Sequence, residues 1–461
     1  MNKTYRLFGY FIVLLLLIHA QSCNKFLEVE PQTSTSDLVT IVDENSAKTA
    51  VRGIYNELQS VNYYGYNFPL IINISADNVQ YTGSQAVNST LTTHTARADL
   101  GPLSVVWVSI YNTINRANNV IAKVPLLPTT NTFTEDARNQ LTGEGYFIRA
   151  LAYFDLVRTW GGVQILLEPT TSATNIPSVK RSSAQQTYAQ IISDLDVAEG
   201  LLPATTNRIR ATKKTVWALK ARYYLYQKEW DKAIEYASKI IADQDNYRLT
   251  DSYSGFFANN ASNTSESVFE LYYNTNVTNT QGYNWQHSTR GGIGWVRPAD
   301  QVVELLNNTS IGGDRNGLIY SVQANGASVW YGKLYYRTNG TDPAYLIRLA
   351  ELYLIRAEAL AERGQAGDAA TSLADLNTIR DRANVPLLNS ADVPTKAALL
   401  LAIENENRVE FAFEPHRWFD LVRTGRAQSV LSITNPNRLL LPIPYSQILI
   451  DPDLEQNPGL D

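Results

Sequence analysis

Residues 348–380 read RLAELYLIRAEALAERGQAGDAATSLADLNTIR. The apolar positions recur every three or four residues, which predicts two helices, Pro343 to Arg363 and Gln365 to Ala383. Tyr353, Ala357, Leu360, Ala369, Leu373 and Leu376 stand at the offsets of a tetratricopeptide-type helix pair. Ala357 and Ala369 are small where two helices must approach closely, and a larger side chain would hold them apart. The same offsets occur upstream at Trp217, Ala221, Tyr224 and Ala233, with Lys220 in place of the usual Leu.

Working outward, helical periodicity covers Asp43 to Ser60, Leu103 to Val124, Thr134 to Thr159, Ser183 to Leu202, Thr212 to Gln227, Trp230 to Ala242 and Lys396 to Phe413. The pair at 134–202 resembles the repeat loosely through Ala150 and Tyr153, and the first two helices form another pair. Between 243 and 342 the chain is rich in Asn, Ser, Thr, Gly and Tyr, with short strands expected at Ser267 to Tyr273 and Val329 to Tyr336. The expected architecture is therefore mainly α. Divergent helix pairs (about 41–242 and 343–425) carry a large loop-rich, partly β insert at about 243–342. The segment from Leu439 to Asp461 is proline-spaced and reads as extended.

The start of the chain is an export signal. Lys3 and Arg6 precede a twelve-residue apolar run, Leu7 to Ile18, too short for the ~20 residues a membrane-spanning helix needs. Ala20-Gln21-Ser22 then places small residues before Cys23, the only cysteine present. A cysteine directly after the cut is the acceptor of a diacylglyceryl thioether. This predicts a lipoprotein signal peptide (1–22), lipidation at Cys23 and an extended tether (23–40). Ala20 departs from the strict pattern, which prefers Leu. Each buried acyl CH₂ contributes about 0.8 kcal/mol, so several chains hold the protein firmly. With Cys23 lipidated no thiol remains, which excludes disulfides, thiolate catalysis and cysteine-ligated metals.

Formal charge is 39 − 44 = −5, and −7 once Lys3 and Arg6 are removed. Such an acidic chain is a poor nucleic-acid binder, because phosphates require basic patches. Charged residues are only 18%, while amides and hydroxyls are abundant and there are 27 Tyr and 8 Trp. Uncharged polar groups with aromatics suit polyhydroxylated ligands: amides bond hydroxyls, and rings stack on C–H faces.

Several segments together resemble one family. Cys23 is followed by Phe26-Leu27 and Pro31. Trp107, Tyr111, Ile114, Ala117 and Asn118 match W-x₃-Y-x₂-I-x₂-A-N. The run 149–163 (RALAYFDLVRTWGGV) resembles R-A-x₂-Y-F-x-L…G-G-V-P, with Gln164 where the proline is usual. The run 348–359, residues 406–425 (ENRVEFAFEPHRWFDLVRTG) and Gln456 to Gly459 match further signatures, and Ile74 to Val79 matches an Asp-containing segment after the first helix. The chain thereby resembles the SusD/RagB family of Bacteroidetes outer-membrane nutrient-binding lipoproteins, and residues 41–461 read as a SusD-like domain. The resemblance implies a surface-exposed, lipid-anchored protein, not an enzyme and without a cofactor. It would capture an oligosaccharide, or a peptide, and deliver it to a SusC-like TonB-dependent transporter.

The residues themselves offer little catalytic chemistry. His94, His287 and His416 are far apart in no metal-ligand spacing, and no hydrolase, phosphate-loop or EF-hand motif occurs. A pair of glycosidase carboxylates needs no motif, so a polysaccharide-degrading enzyme remains an alternative. The cluster Glu406, Arg408, Glu410, Glu414, Arg417, Asp420 and Arg423 has the i,i+3 and i,i+4 spacing of helical ion pairs and reads as structural. The ligand-binding candidates are aromatics in polar loops, Tyr283, Trp285, Trp295, Trp330 and Tyr331, with Arg290 as a donor. Asp77, Asn78 and Tyr81 could present acceptors to a sugar diol, and Trp107 is a further stacking candidate. Trp160, Trp217, Trp230 and Trp418 sit in packing motifs and read as core.

Overall fold

A computed structural model describes residues 41–170, 178–258, 261–451 and 453–460, except for the side chains of Ala86 and Val87. The signal peptide, Cys23 and the tether lie outside the described residues. The chain divides into Met1–Val42 and Asp43–Asp461, and every element named below belongs to the second unit.

The first helix, α1 (Glu44–Leu58), starts in a capping box: the Asp43 carboxylate accepts from the Ser46 amide at 2.8 Å. It buries Ala47, Val51, Ile54, Tyr55 and Leu58, the face expected from their spacing. Then follow α2 (Asn67–Ile74), β1 (Val79–Tyr81), α3 (Ala86–Thr92), α4 (Gly101–Lys123) and α5 (Glu135–Trp160), and after them α6 (Ala184–Leu201), α7 (Lys213–Tyr226) and α8 (Trp230–Ile241). The middle region contributes β2 (Ser267–Leu271), α9 (Gln281–Trp285), β3 (Val296–Pro298), α10 (Asp300–Asn307), β4 (Ile319–Ala324), β5 (Ala327–Gly332) and β6 (Ala344–Arg348). Helices resume with α11 (Leu349–Arg363), α12 (Asp368–Arg382), α13 (Lys396–Glu410) and α14 (Arg417–Arg423).

The helices stack in sequence, each on the next: α4 on α5, α5 on α6, α6 on α7, α7 on α8, then α8 directly on α11, α11 on α12 and α12 on α13. The middle region is thus an excursion from a continuous helix stack. At the second pair Ala350, Leu354, Ala357 and Ala361 interlock with Leu376, Ile379, Leu399, Ile403 and Phe411. Ser372 Oγ donates to the Ala357 carbonyl at 2.7 Å across the pair, and Ala357 is fully buried at the contact, whereas Ala369 faces solvent rather than the neighbouring helix.

Three expectations need correction. The segment from Leu439 onward, read as extended, carries a short helix at Tyr445–Ile450. Residues 344–348, assigned to a helix by periodicity, form β6, buried along its length and antiparallel to β2. A short continuous apolar run fits a buried strand as well as a helix, and here pairing with β2 decides. The acidic–basic cluster is structural as expected, but its bonds are mostly tertiary. Arg348, 1% exposed, contacts Glu266 at 2.6 Å, Glu410 at 3.1 Å and Glu414 at 2.7 Å. Arg315 contacts Glu406 at 2.5 Å and Glu410 at 2.9 Å, and Arg382 joins Glu266 at 2.6 Å as well as Glu410. Only Arg423–Asp420 keeps the helical i,i+3 spacing, at 2.8 Å. This buried lattice fastens the middle region, through Glu266, Arg315 and Arg348, to α12 and α13. Burial tends to raise the Glu410 carboxyl, and the attraction of Arg382, Arg315 and Arg348 overrides it, leaving the group at about 2.

Trp160 and Trp418 are fully buried, while Trp217 and Trp230 are half-buried. The C-terminal segment closes over Trp160: its indole donates to the Pro442 carbonyl at 3.0 Å, and Asn457 bonds the Trp160 and Leu441 carbonyls. Gln164 donates from its amide to Asp451 at 2.7 Å, a tie that a proline there could not make.

Candidate functional site

β1 and β3 pair antiparallel, with Tyr81 opposite Val296. This brings the Tyr81 and Trp295 rings edge-on at 6.2 Å, and the Thr82 amide bonds the Trp295 carbonyl at 2.7 Å. β3 packs on the hairpin β4–β5, whose turn is Asn325-Gly326. Both residues have positive φ, 52° and 79°, as a type I′ turn requires. Across that hairpin Tyr320 faces Tyr331, and their rings stack at 5.5 Å. Gly294 has φ +60°, and a Cβ on it would lie 2.7 Å from the Tyr331 ring, so only glycine allows β3 and β5 this close.

Beside this ledge is an open cleft of about 230 Å³ lined by Thr278, Asn279, Thr280, Tyr283, Arg290, Arg337 and Asn339 among others, with no Asp or Glu in its lining. Tyr283 is 55% exposed. An exposed aromatic among amides and hydroxyls is the lining a sugar ring needs, one face for its C–H groups and donors for its hydroxyls.

The candidate residues separate cleanly. Trp330, half-buried and paired with Ser321, alternates to the face of the hairpin away from Tyr331 and so leaves the group. Tyr283, exposed, and Arg290, half-buried, line the cleft, and Tyr81 and Trp295, both half-buried, touch each other on the ledge. Tyr331 is there too, but 4% exposed, supporting Tyr320 rather than meeting solvent. Trp285, 3% exposed, packs on Phe413 at 5.0 Å and under Gly332, so it holds up the cleft without lining it. Asp77 is not a free acceptor: Arg417 at 2.9 Å and Arg408 at 2.9 Å neutralise it. Asn78 is 2% exposed and spends its amide on the Arg408 and Ala412 carbonyls and on Arg408 Nε. Trp107 is 2% exposed, wedged against Trp160 at 5.3 Å and Tyr111 at 5.2 Å, because its helical position faces α5.

Sequence reasoning missed Tyr320, Tyr336 and the stretch Thr278 to Thr280. The Asn325-Gly326 turn between alternating strands was the signal that would have placed Tyr320 opposite Tyr331. The cleft at α11, α13 and α14 (about 280 Å³) is also charged, but its ions are mutually satisfied, with Arg417 and Arg426 on Glu404, and Arg423 on Glu358. A third cleft, about 440 Å³, lies between α1 and Tyr272. Among the described residues no His, Cys, Asp and Glu group could hold a metal, and no helix is long and apolar enough to cross a membrane.

A stack of helix pairs bearing a loop-built aromatic ledge over a polar cleft defines a repeat-scaffold protein whose insert forms the candidate site. Two family models match the chain. Residues 25–225 match the model described as "Starch-binding associating with outer membrane", and residues 272–438 match that of the SusD family. The chain belongs to the SusD/RagB family. It is similar to "SusD-like protein P38" of Formosa agariphila, 26% identical over 97% of both chains. It is also similar to "Starch-binding protein SusD" of Bacteroides thetaiotaomicron, 25% identical over 68% of this chain and 71% of that one. Among solved structures, a SusD superfamily protein from Bacteroides vulgatus superposes with a TM-score of 0.79 at 22% identity, covering 90% of this chain and 99% of that one. A "Laminarin binding SusD-like protein" gives 0.78 at 24%, covering 91% and 100%. At these identities the superpositions show a shared fold.

Proposed function

We propose that this chain captures an oligosaccharide on the face built by β1, β3, the β4–β5 hairpin and α9, and delivers it to a SusC-like TonB-dependent transporter. The observation that carries the reading is the ledge: half-buried Trp295 and exposed Tyr283 stand beside a cleft with no carboxylate in its lining, on a SusD/RagB scaffold. Capture is favoured over hydrolysis because glycosidases work with a pair of carboxylates at the bond to be cut. The family model's association with the outer membrane supports a lipid anchor on Cys23, facing outward, with residues 23–40 as the tether.

The test is direct binding of the mature domain to polysaccharides, followed by growth of the producing cells on the one that binds. Cys23→Ser should leave affinity unchanged and lower uptake about tenfold or more, since a freed domain is lost from the transporter's vicinity. Equal loss of affinity and uptake would contradict the anchor, and binding of peptides with no polysaccharide would contradict glycan capture.

A further inference from the structure

Most cations in this acidic chain are answered by carboxylates; those on the ledge are not. Lys333 Nζ sits 5.5 Å from the centroid of the Tyr336 ring, and the Arg290 guanidinium sits 5.4 Å from that same ring. Arg290 also reaches the Tyr320 ring at 5.9 Å. Tyr320 stacks on Tyr331, and the Arg297 guanidinium lies 5.0 Å from the Tyr331 centroid. The result is a ladder, Lys333–Tyr336–Arg290–Tyr320–Tyr331–Arg297, in which three rings separate three cations. Among the described residues none of the three cations has a carboxylate within 4.0 Å. The stretch 278–341 contains only Asp300, Glu304 and Asp314 as acids, and none of them lines the cleft.

Their hydrogen-bond donors are also under-used. Arg290 gives one terminal nitrogen to the Tyr336 carbonyl at 3.0 Å, while its Nε is buried with no partner. Arg297 bonds the Gly294 carbonyl through Nε at 2.8 Å, and among the described residues its terminal nitrogens have no protein partner. Buried unsatisfied donors are rare and call for an explanation. Two cations over one ring repel each other unless an anion comes between them. Cation–ring contacts offset part of that repulsion and hold the guanidinium planes in place. A planar guanidinium with free terminal nitrogens is suited to bind carboxylate or sulfate oxygens in pairs.

We infer that the glycan held on this face is anionic, a polymer bearing uronate carboxylates or sulfate esters, with Arg290, Arg297 and Lys333 setting the preference for charge. This rests on the glycan-capture reading above. The anionic groups answer the three cations, while neutral sugar faces lie on the ledge rings. Net charge argues that such binding is local, because the mature chain carries about −7 and repels polyanions elsewhere.

The experiment titrates the mature domain with polygalacturonate, alginate, a sulfated galactan, laminarin and starch, at low and high salt. It is repeated with Arg290→Gln, Arg297→Gln and Lys333→Gln singly and together, and with carboxyl-reduced polygalacturonate. At least one anionic polymer should bind at least about tenfold more tightly than every neutral one, with affinity falling as salt rises. The triple variant should lose about tenfold or more of that affinity while remaining folded, with only a small fall in unfolding temperature from the lost Tyr336 and Gly294 carbonyl bonds. Preference for a uronate or for the sulfated polymer assigns the anion, and carboxyl reduction abolishes only the former. Tighter binding of laminarin or starch, or an anionic affinity unmoved in the triple variant, overturns the inference and leaves glycan capture standing. Absence of binding to all five polymers overturns glycan capture itself.

Discussion

Glu410→Ala is expected to cost the folded protein about 3–5 kcal/mol, the usual consequence of removing one partner from a buried ion network. Its carboxylate is fully buried and is shared by Arg315, Arg348 and Arg382, all three nearly inaccessible to solvent. Deleting it strands three guanidiniums beside Glu266, Glu406 and Glu414, which already have their own bonds. Against a total stability of about 5–15 kcal/mol, the variant should unfold well below the wild-type temperature or fail to accumulate. Arg97→Ala, which removes a solvent-exposed pair with Asp99, should stay within about 1 kcal/mol. Urea unfolding of the three proteins checks both figures. The sign with pH follows from the depressed carboxyl: unfolded Glu410 titrates near 4.3 and folded Glu410 near 2. Its contribution is therefore complete above about 4.3 and is lost as pH falls toward 2. Glu414, raised by burial despite Arg348, works in the opposite direction over the acid range.

Tyr283→Ala and Trp295→Ala together should weaken glycan binding by about 30-fold or more, the effect of losing a hot-spot aromatic worth about 2 kcal/mol. Tyr283 is 55% exposed and makes no ring contact among the described residues, so its removal should not move the unfolding midpoint. Trp295 touches Tyr81 edge-on and carries some packing, so a small loss of stability accompanies its removal. Trp285→Ala separates support from contact. It lies on Phe413 beneath Gly332, so it should lower stability by about 3–5 kcal/mol as a core truncation. Calorimetric titration alongside thermal unfolding distinguishes the two patterns.

How much of this was legible in the sequence depended on what each signal measures. Helix periodicity located α1, α4 to α8 and α11 to α13 within a few residues, because a half-buried helix writes its buried face into every third or fourth position. It failed at 344–348, where both sides of the strand are buried and no alternation survives. It also gave no sign of α2, whose run NFPLIINI is buried nearly all round. At the site, residue type pointed to the right region but could not separate platform from prop. Trp285 and Trp295 are ten residues apart in similar polar surroundings. One ends α9 and lies under Gly332, and the other directly precedes β3 and meets Tyr81. Asp77 and Asn78 were unreadable for another reason: their partners, Arg408, Ala412 and Arg417, are more than three hundred positions away. The ladder of cations and tyrosines is likewise a product of the β4–β5 register, which sets Tyr320 against Tyr331.

The measurement that bears most directly on glycan capture by the loop face is a crystal structure of the mature domain with a bound oligosaccharide. Sugar rings are expected against Trp295 and Tyr283, with their hydroxyls or acidic groups on Arg290 and Arg297. Sugar seated instead in the charge-satisfied cleft of α11, α13 and α14, or only against Tyr272, with the ledge bare, would contradict this expectation.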